Sequence, residues 1–327
     1  MTFPCANPFE RDRIPSRVSA MSRKCAAERK FDMPAPLRLW HLASLDAPTV
    51  AFVWALGFAW AAGVRLPAWV PALLALGAWA VYIGDRLLDA HSALRTGQTN
   101  RLRERHTFHH RHRRVLGSLA VGAACAAAWI VFRMMPAGAR ERDSVLAMAA
   151  MAYFSGVHAS QGFPKRIVTL LTRLPAKEFL VGVLFTAGCV MPAFSRVGAE
   201  PVSAFWGLGA SSVYFAELAW LNCHLIERWE AGISRAALGV NCSRRDSSRR
   251  DSSAAGLLAG AGLLLAVALS AVQPRSAALV IAGVASSLLL QELDGLRERL
   301  TPVALRTAAD LVLLTPILLV PMALFSR

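Results

Sequence analysis

The sequence predicts an all-α membrane protein, a polytopic bundle of about nine transmembrane helices. The chain has 327 residues, of which 55% are apolar, yet it carries 36 Lys and Arg against 21 Asp and Glu. Its mean hydropathy is +0.42. Soluble domains are rarely so apolar and so basic at once. The basic residues lie between apolar segments, which favours lipid head groups over nucleic acid as their partner.

Nine apolar segments are long enough to cross a hydrocarbon core of about 30 Å as helices. They are residues 44–64, 67–88, 115–135, 144–161, 178–195, 202–226, 254–272, 276–292 and 303–325. The first 40 residues are polar and contain no apolar signal segment. We therefore expect residues 1–40 to form a disordered basic arm in the cytoplasm. Residues 41–327 are expected to form one transmembrane domain, made of two four-helix halves and a ninth helix.

The distribution of basic residues predicts the orientation of the bundle. With the N-terminus in the cytoplasm, 29 of the 36 Lys and Arg fall in the cytoplasmic segments, which are 1–40, 86–114, 161–177, 227–252 and 291–306. Cytoplasmic loops of membrane proteins carry such an excess. We expect an integral protein of a bacterial inner membrane, with a cytoplasmic N-terminus and, after nine spans, an external C-terminus.

A pair of aspartates lies at the predicted cytoplasmic end of the second span, in "YIGDRLLDA". Asp85 and Asp89 are four residues apart, so a helix places both carboxylates on one face. Two carboxylates at this spacing suit a Mg²⁺ ion shared with a diphosphate. Alternatively, both aspartates form ion pairs with Arg86 and with arginines of the following loop.

A second acidic cluster lies at the predicted cytoplasmic end of the sixth span, in "LNCHLIERWEAGI". Its polar oxygens belong to Asn222, Glu227 and Glu230. The second and sixth spans run in the same direction, so both clusters are expected at the same membrane face. Two acidic clusters that face each other across a bundle would bind a diphosphate through Mg²⁺. Asp310, one turn after Arg306, is expected to pair with it.

This arrangement resembles the UbiA superfamily of intramembrane prenyltransferases, whose two Asp-rich motifs end helices two and six. The first family motif is N-D-x-x-D-x-x-x-D. In "VYIGDRLLD", Asp85 and Asp89 match its last two acids, and Val81 and Tyr82 replace the leading Asn-Asp. The second motif is followed by Gly-Ile in many members, as Glu230 is followed here by "AGI".

The loop after the fourth predicted span also resembles the family, whose pattern there is approximately Y-P-x-x-K-R-x-T-x-L-P. This chain has "FPKRIVTLLTRLPAKE". In the family, basic residues of this loop hold the diphosphate. The resemblance therefore implies four diphosphate-binding residues, Lys165, Arg166, Arg173 and Lys177.

The resemblance implies a UbiA-like fold and a Mg²⁺-assisted transferase that moves a prenyl group from a prenyl diphosphate to a lipophilic acceptor. Its implied catalytic residues are Asp85, Asp89, Glu227 and Glu230. Asp85, Asp89 and Glu227 would bind the metal, and Asn222 would contact the substrate. The missing leading acids favour an alternative, a catalytically degenerate membrane protein of the same fold that binds or moves an isoprenoid lipid.

The stretch "ERHTFHHRHRR", residues 104–114, contains a His-x-x-His-His pattern that di-iron membrane oxygenases use. Such enzymes need about eight ligands in several clusters, and the remaining histidines, His41, His91, His158 and His224, form no second cluster. Two compatible interpretations stay open. The segment caps a diphosphate, with Arg101, Arg105 and His106 as the substrate-binding residues, or it forms an amphipathic helix on anionic lipid.

Overall fold

The structure, a computed structural model, describes residues 30–95, 104–159, 177–197, 202–237 and 244–325. Within these ranges the chain is helical apart from short connections and one isolated parallel bridge between Phe31 and Leu300. The helices are α1 (Ala35–Leu42), α2 (Asp46–Ala61), α3 (Trp69–Arg95), α4 (Glu104–Arg111), α5 (Arg113–Arg133), α6 (Ala137–Ala159), α7 (Lys177–Phe194), α8 (Val202–Ala237), α9 (Arg244–Ser270), α10 (Pro274–Leu296), α11 (Pro302–Val312) and α12 (Val320–Phe325), with a 3₁₀ segment at Thr315–Leu319.

The prediction of an all-α protein with apolar helices suited to a membrane is confirmed for the described part of the chain. Five segments are long and apolar enough to cross a membrane, and α1 with α2, bent by 88°, would make a sixth. The five are Trp69–Arg95, Arg113–Arg133, Ser253–Ser270, Pro274–Leu296 and Pro302–Met322. A helix overlaps each of the nine predicted apolar segments.

Helix α1, Ala35–Leu42, extends across the predicted boundary between residues 40 and 41. Pro34 caps this helix and a second proline lies in its first turn, where the missing N–H groups cost nothing. Phe31, which lies just before α1, is hydrogen-bonded to the connection between α10 and α11. Its N–H donates to the Arg299 carbonyl at 2.8 Å, and its carbonyl accepts from the Thr301 N–H at 3.0 Å.

The last predicted span, 303–325, is interrupted after Val312 and continues as the 3₁₀ segment. Pro316 has no N–H and cannot bond to the carbonyl four residues earlier, so the Val312 carbonyl needs another donor. Ser286 of α10 supplies it, with its hydroxyl at 2.6 Å. The Trp54 indole N–H donates to the next carbonyl, that of Leu313, at 2.8 Å. Two side chains from other helices thus donate hydrogen bonds to the carbonyls at the break, as buried backbone groups require.

The core is built around α2, which contacts α3, α7, α8, α10 and α11. Trp54 and Phe58 of α2 pack against Phe215 of α8, and all three are fully buried. The Trp54 and Phe215 rings stack with centroids 3.7 Å apart, while Phe58 meets Phe215 edge-on at 5.8 Å. This aromatic cluster holds α2 and α8 together and so fixes the relative positions of the helices that carry the site.

Glycines allow α8, α9 and α10 to approach closely around one side chain, Tyr214. A Cβ at Gly262 of α9 would lie 2.5 Å from a Tyr214 ring carbon, and one at Gly283 of α10 would lie 2.7 Å from another. The Tyr214 hydroxyl and the Ser287 hydroxyl are 3.1 Å apart and share a hydrogen bond. Small residues serve this purpose in helical membrane proteins, since they let neighbouring backbones and rings come close.

Candidate functional site

One cavity of about 1130 Å³ contains the residues of both predicted acidic clusters. Its wall follows α3 from Trp69 to Asp89, about 30 Å at 1.5 Å per residue, and includes residues of α2, α6, α7, α8 and α11. Most of the exposed wall is apolar, with polar groups at the two ends. The structure thus places both predicted clusters, on α3 and α8, along the same cavity.

Charged groups divide the cavity into an acidic end and a basic end. At the acidic end, Arg306 and Arg105 both contact Glu230, and His41 contacts both Asp46 and Asp310. Among the described residues, the acidic end is lined by seven carboxylates and three guanidinium groups, those of Asp46, Asp85, Asp89, Glu178, Glu227, Glu230, Asp310, Arg86, Arg105 and Arg306. With neutral histidines its net charge is −4. The opposite end is lined by Arg140, Arg142, Asp143 and Arg196.

Asp85 and Asp89 lie on the cavity side of α3, as their spacing predicts. Asp85 is half-buried and Asp89 is exposed, and each has a basic neighbour. A guanidinium nitrogen of Arg86 is 3.8 Å from the Asp85 carboxylate, and His106 Nε2 is 4.0 Å from the Asp89 carboxylate. The pairing of Asp85 with Arg86, one of the two sequence-based alternatives, is therefore present at the outer limit of an ion pair.

Glu230 connects three helices at the acidic end. Arg306 of α11 donates to its carboxylate at 2.9 Å, and Arg105 of α4 donates to it at 3.5 Å. The expected pairing of Arg306 with Asp310 is thus not its closest contact. Glu227, one turn earlier on α8, is exposed and lines the cavity. On α8, Glu230 thus holds three helices together, whereas Glu227 faces the cavity.

Asn222 is the most deeply buried of the predicted site residues on α8, with 4% of its surface exposed. It lines the cavity, and its side-chain oxygen has no hydrogen-bond partner among the residues that the structure describes. A buried polar atom without a partner is uncommon in folded proteins and requires an explanation. A ligand, a water molecule or a cation in the cavity would provide the missing partner.

Helix α4, which contains most of "ERHTFHHRHRR", lies across the acidic end with two histidines buried. His106 and His109 are buried, one turn apart, whereas Arg111 is exposed. His109 Nδ1–H donates to the Arg105 carbonyl at 2.8 Å, and Nε2 lies 3.3 Å from the Ser44 hydroxyl. Burial lowers the pKa of His109 from its ordinary value, so the neutral ring accepts from Ser44. These histidines hold α4 in place.

A cluster that the sequence analysis did not predict lies where α1 meets α2. His41 Nδ1 is 2.8 Å from Asp46 Oδ2 and 3.5 Å from Asp310 Oδ2. His41 is buried at the end of α1, while the two aspartates belong to the cavity wall. No sequence motif links these residues, because they come from three helices and Asp310 is distant in the chain. The bend between α1 and α2 brings them together.

Several predicted substrate-binding residues lie outside the part of the chain that the structure describes. They are Arg101, Lys165, Arg166 and Arg173, together with the side chain of Lys177, whose backbone begins α7. Arg105 and His106 are described, and both line the cavity. Comparison with known protein families, with curated proteins and with solved structures finds no match to this chain.

Proposed function

We propose that this chain is a UbiA-like intramembrane transferase with nine spans in a bacterial inner membrane. In this proposal it moves a prenyl group from a prenyl diphosphate to a lipophilic acceptor, with Mg²⁺. The observation that carries it is the common cavity, which joins the acids of α3 and α8 at one end to a long apolar wall. A substrate with an anionic head and an isoprenoid tail matches such a cavity in both parts.

The charge of the acidic end supports a requirement for divalent cations. A diphosphate placed beside Asp85 and Asp89 brings further negative charge next to two carboxylates. Two like charges 4 Å apart cost about 4 kcal/mol at an effective dielectric of 20, so direct contact between phosphate oxygens and these carboxylates would be unfavourable. If the carboxylates and the phosphate oxygens both coordinate Mg²⁺, each is attracted to the cation, and binding of the diphosphate becomes favourable.

In the proposed mechanism Asp85, Asp89 and Glu227 would hold the cation, which would neutralise charge on the departing diphosphate. Arg105 and His106 lie on α4 beside the acids and would bind the phosphate oxygens from that side. Five further basic residues are proposed to assist them. They are Arg101, Lys165, Arg166, Arg173 and Lys177. As the carbon–oxygen bond breaks, the oxygen keeps the electron pair, and the allylic carbon bonds to the acceptor, which then loses a proton.

The apolar wall would hold the isoprenoid tail and keep water from the allylic cation. Its side chains include Leu73, Leu74, Val81, Val181 and Phe185. A wall that extends for about 30 Å along α3 accommodates a long prenyl chain. Excluding water matters because water would otherwise capture the cation before the acceptor does.

The direct test uses purified protein in detergent with radiolabelled geranylgeranyl diphosphate and a panel of phenolic and quinol acceptors. We expect diphosphate binding that needs Mg²⁺ and weakens at least tenfold in Asp85→Asn/Asp89→Asn. Asp143→Asn is the matched control, since this carboxylate lines the other end of the cavity and pairs with Arg142 at 2.9 Å. The proposal fails if no acceptor is prenylated and the double variant binds the diphosphate as wild type does.

One observation favours the second candidate, a non-catalytic protein that binds or moves an isoprenoid lipid. Arg306 and Arg105 both engage Glu230, and Arg86 lies near Asp85, so part of the acidic charge is already offset without a metal. This candidate predicts that polyprenol, which lacks a diphosphate, binds equally well in EDTA and in Mg²⁺. The same binding assay therefore separates the two candidates.

A further inference from the structure

Three metal-ligand side chains from α1, α2 and α11 converge beside the bend between the first two helices. The ligand atoms of His41, Asp46 and Asp310 all lie within 4.8 Å of one another. Ligands about 2.1 Å from a common ion are about 3.0 Å apart at right angles and about 3.4 Å apart in a tetrahedron. The observed distances from His41 Nδ1 to the two carboxylates, 2.8 and 3.5 Å, span these values.

The donor atoms are oriented by their surroundings. Asp46 Oδ1 accepts a hydrogen bond from the Ala47 N–H at 2.9 Å, which leaves Oδ2 facing His41. Outer contacts of this kind fix the ligands of protein metal sites. Asp46 and Asp310 also line the cavity, so an ion has a path to them.

An independent observation indicates a further oxygen donor in the same region. Asn222 lines the cavity and is nine-tenths or more buried, and within the described ranges its side-chain oxygen has no partner. It belongs to α8, which packs against α11, the helix of Asp310. The next residue on α8, Cys223, lies within electrostatic range of Asp310. Asn222 thus offers a buried oxygen to the cavity from the helix that packs against the helix of Asp310.

The cluster also offers charge for a cation. Asp46 and Asp310 bring two carboxylates to one imidazole, and a divalent ion bound to neutral His41 would neutralise both. Arg306, which donates at 2.9 Å to Glu230, would keep that contact.

We propose that His41, Asp46 and Asp310 bind one divalent transition-metal ion, of the Mn²⁺ or Zn²⁺ class, at the junction of α1, α2 and α11. One imidazole nitrogen with two carboxylate oxygens favours these ions over Mg²⁺, which prefers oxygen alone. The ion fastens the bent N-terminal helix pair to the interrupted last span. This site is separate from Asp85 and Asp89, and the proposal does not depend on prenyl transfer.

The test measures Mn²⁺ binding to the full chain in detergent, after stripping with EDTA, in an Asp85→Asn/Asp89→Asn background. This background removes the Asp89 carboxylate, which lies 4.0 Å from His106 Nε2, together with its neighbour Asp85. Electron paramagnetic resonance counts the bound ion, and pulsed measurements detect coupling to a ligand ¹⁴N nucleus. We expect one bound Mn²⁺ per chain with ¹⁴N coupling that Zn²⁺ displaces.

Variants of the cluster identify the ligands. His41→Gln should abolish the ¹⁴N coupling, and Asp310→Asn should weaken binding at least tenfold. Asp143→Asn, which changes a cavity carboxylate at the far end, should leave affinity unchanged. The proposal is overturned if the background protein binds no Mn²⁺, or binds it without ¹⁴N coupling. Since these two results come from protein with an intact cluster, they decide the question even where a cluster variant does not fold.

Discussion

Neutralising Glu230 should detach α4 and α11 from α8 at the acidic end of the cavity. In the Glu230→Gln variant the shape is kept, but the carboxylate charge that opposes Arg306 and Arg105 is lost. The Arg306 pair, at 2.9 Å with less than a fifth of each side chain exposed, is the stronger contact. The Arg105 contact, at 3.5 Å, is the weaker one.

The expected loss in the free energy of unfolding can be estimated from these two contacts. A hydrogen bond to a charged group contributes about 1.5–3 kcal/mol, and removal of one partner of a buried ion pair costs about 3–5 kcal/mol. The glutamine oxygen still accepts one hydrogen bond, so we expect a loss of about 2–3 kcal/mol. At about 2 °C for each kcal/mol in a chain of this size, the midpoint of thermal unfolding should fall by roughly 5 °C.

The assay is thermal unfolding in detergent, followed by tryptophan fluorescence, with limited trypsin digestion of α4 as a second measurement. Loosening of α4 should speed cleavage after Arg105 and Arg111. The double variant Glu230→Gln/Arg306→Gln replaces the ion pair with a neutral pair, and it should be more stable than the sum of the two single losses predicts, by about 1–3 kcal/mol. Asp143→Asn, which removes a partly exposed ion pair, should change stability by less than about 1 kcal/mol.

Two results would refute this reasoning. The first is a Glu230→Gln protein with the melting temperature and the trypsin sensitivity of wild type, which would mean that the Arg306 contact contributes nothing. The second is strict additivity in the double variant, which would show that Glu230 and Arg306 act on stability independently.

Two further predictions concern packing and pH. Gly262→Ala should lower stability by about 1–3 kcal/mol, because its Cβ would lie 2.5 Å from a ring carbon of Tyr214, whereas Gly260→Ala, with no atom within 4 Å, should be neutral or stabilising in the same melting assay. Because burial lowers the pKa of His109, the unfolded chain takes up this proton first, so the contribution of His109 to the free energy of unfolding should decrease as pH falls below about 6.5. His109→Gln should reduce that slope more than the exposed-site change His112→Gln, and equal slopes would contradict the assignment.

The regular helices and their faces could be predicted because their causes are local. A backbone hydrogen bond in a helix joins residues four apart, so an apolar segment of sufficient length predicts a helix directly. The same regularity placed Asp85 and Asp89 on one face, and the structure has both lining the cavity. Pro316 would also have indicated the interruption of the last predicted span. The prediction missed it because it used hydropathy averaged over the whole segment, which does not reveal a single helix-breaking residue.

Composition and spacing alone therefore determined an all-helical chain with apolar helices and two acidic clusters. The tertiary structure decided which partner each charged group has. Arg306 bonds to Glu230, 76 residues away, although Asp310 is one helical turn from it. His41 meets Asp46 and Asp310 through a bend of 88° that no local pattern predicted. The physical reason is that charged groups removed from water pair with the opposite charges that packing brings near them, and packing joins residues that are distant in the sequence.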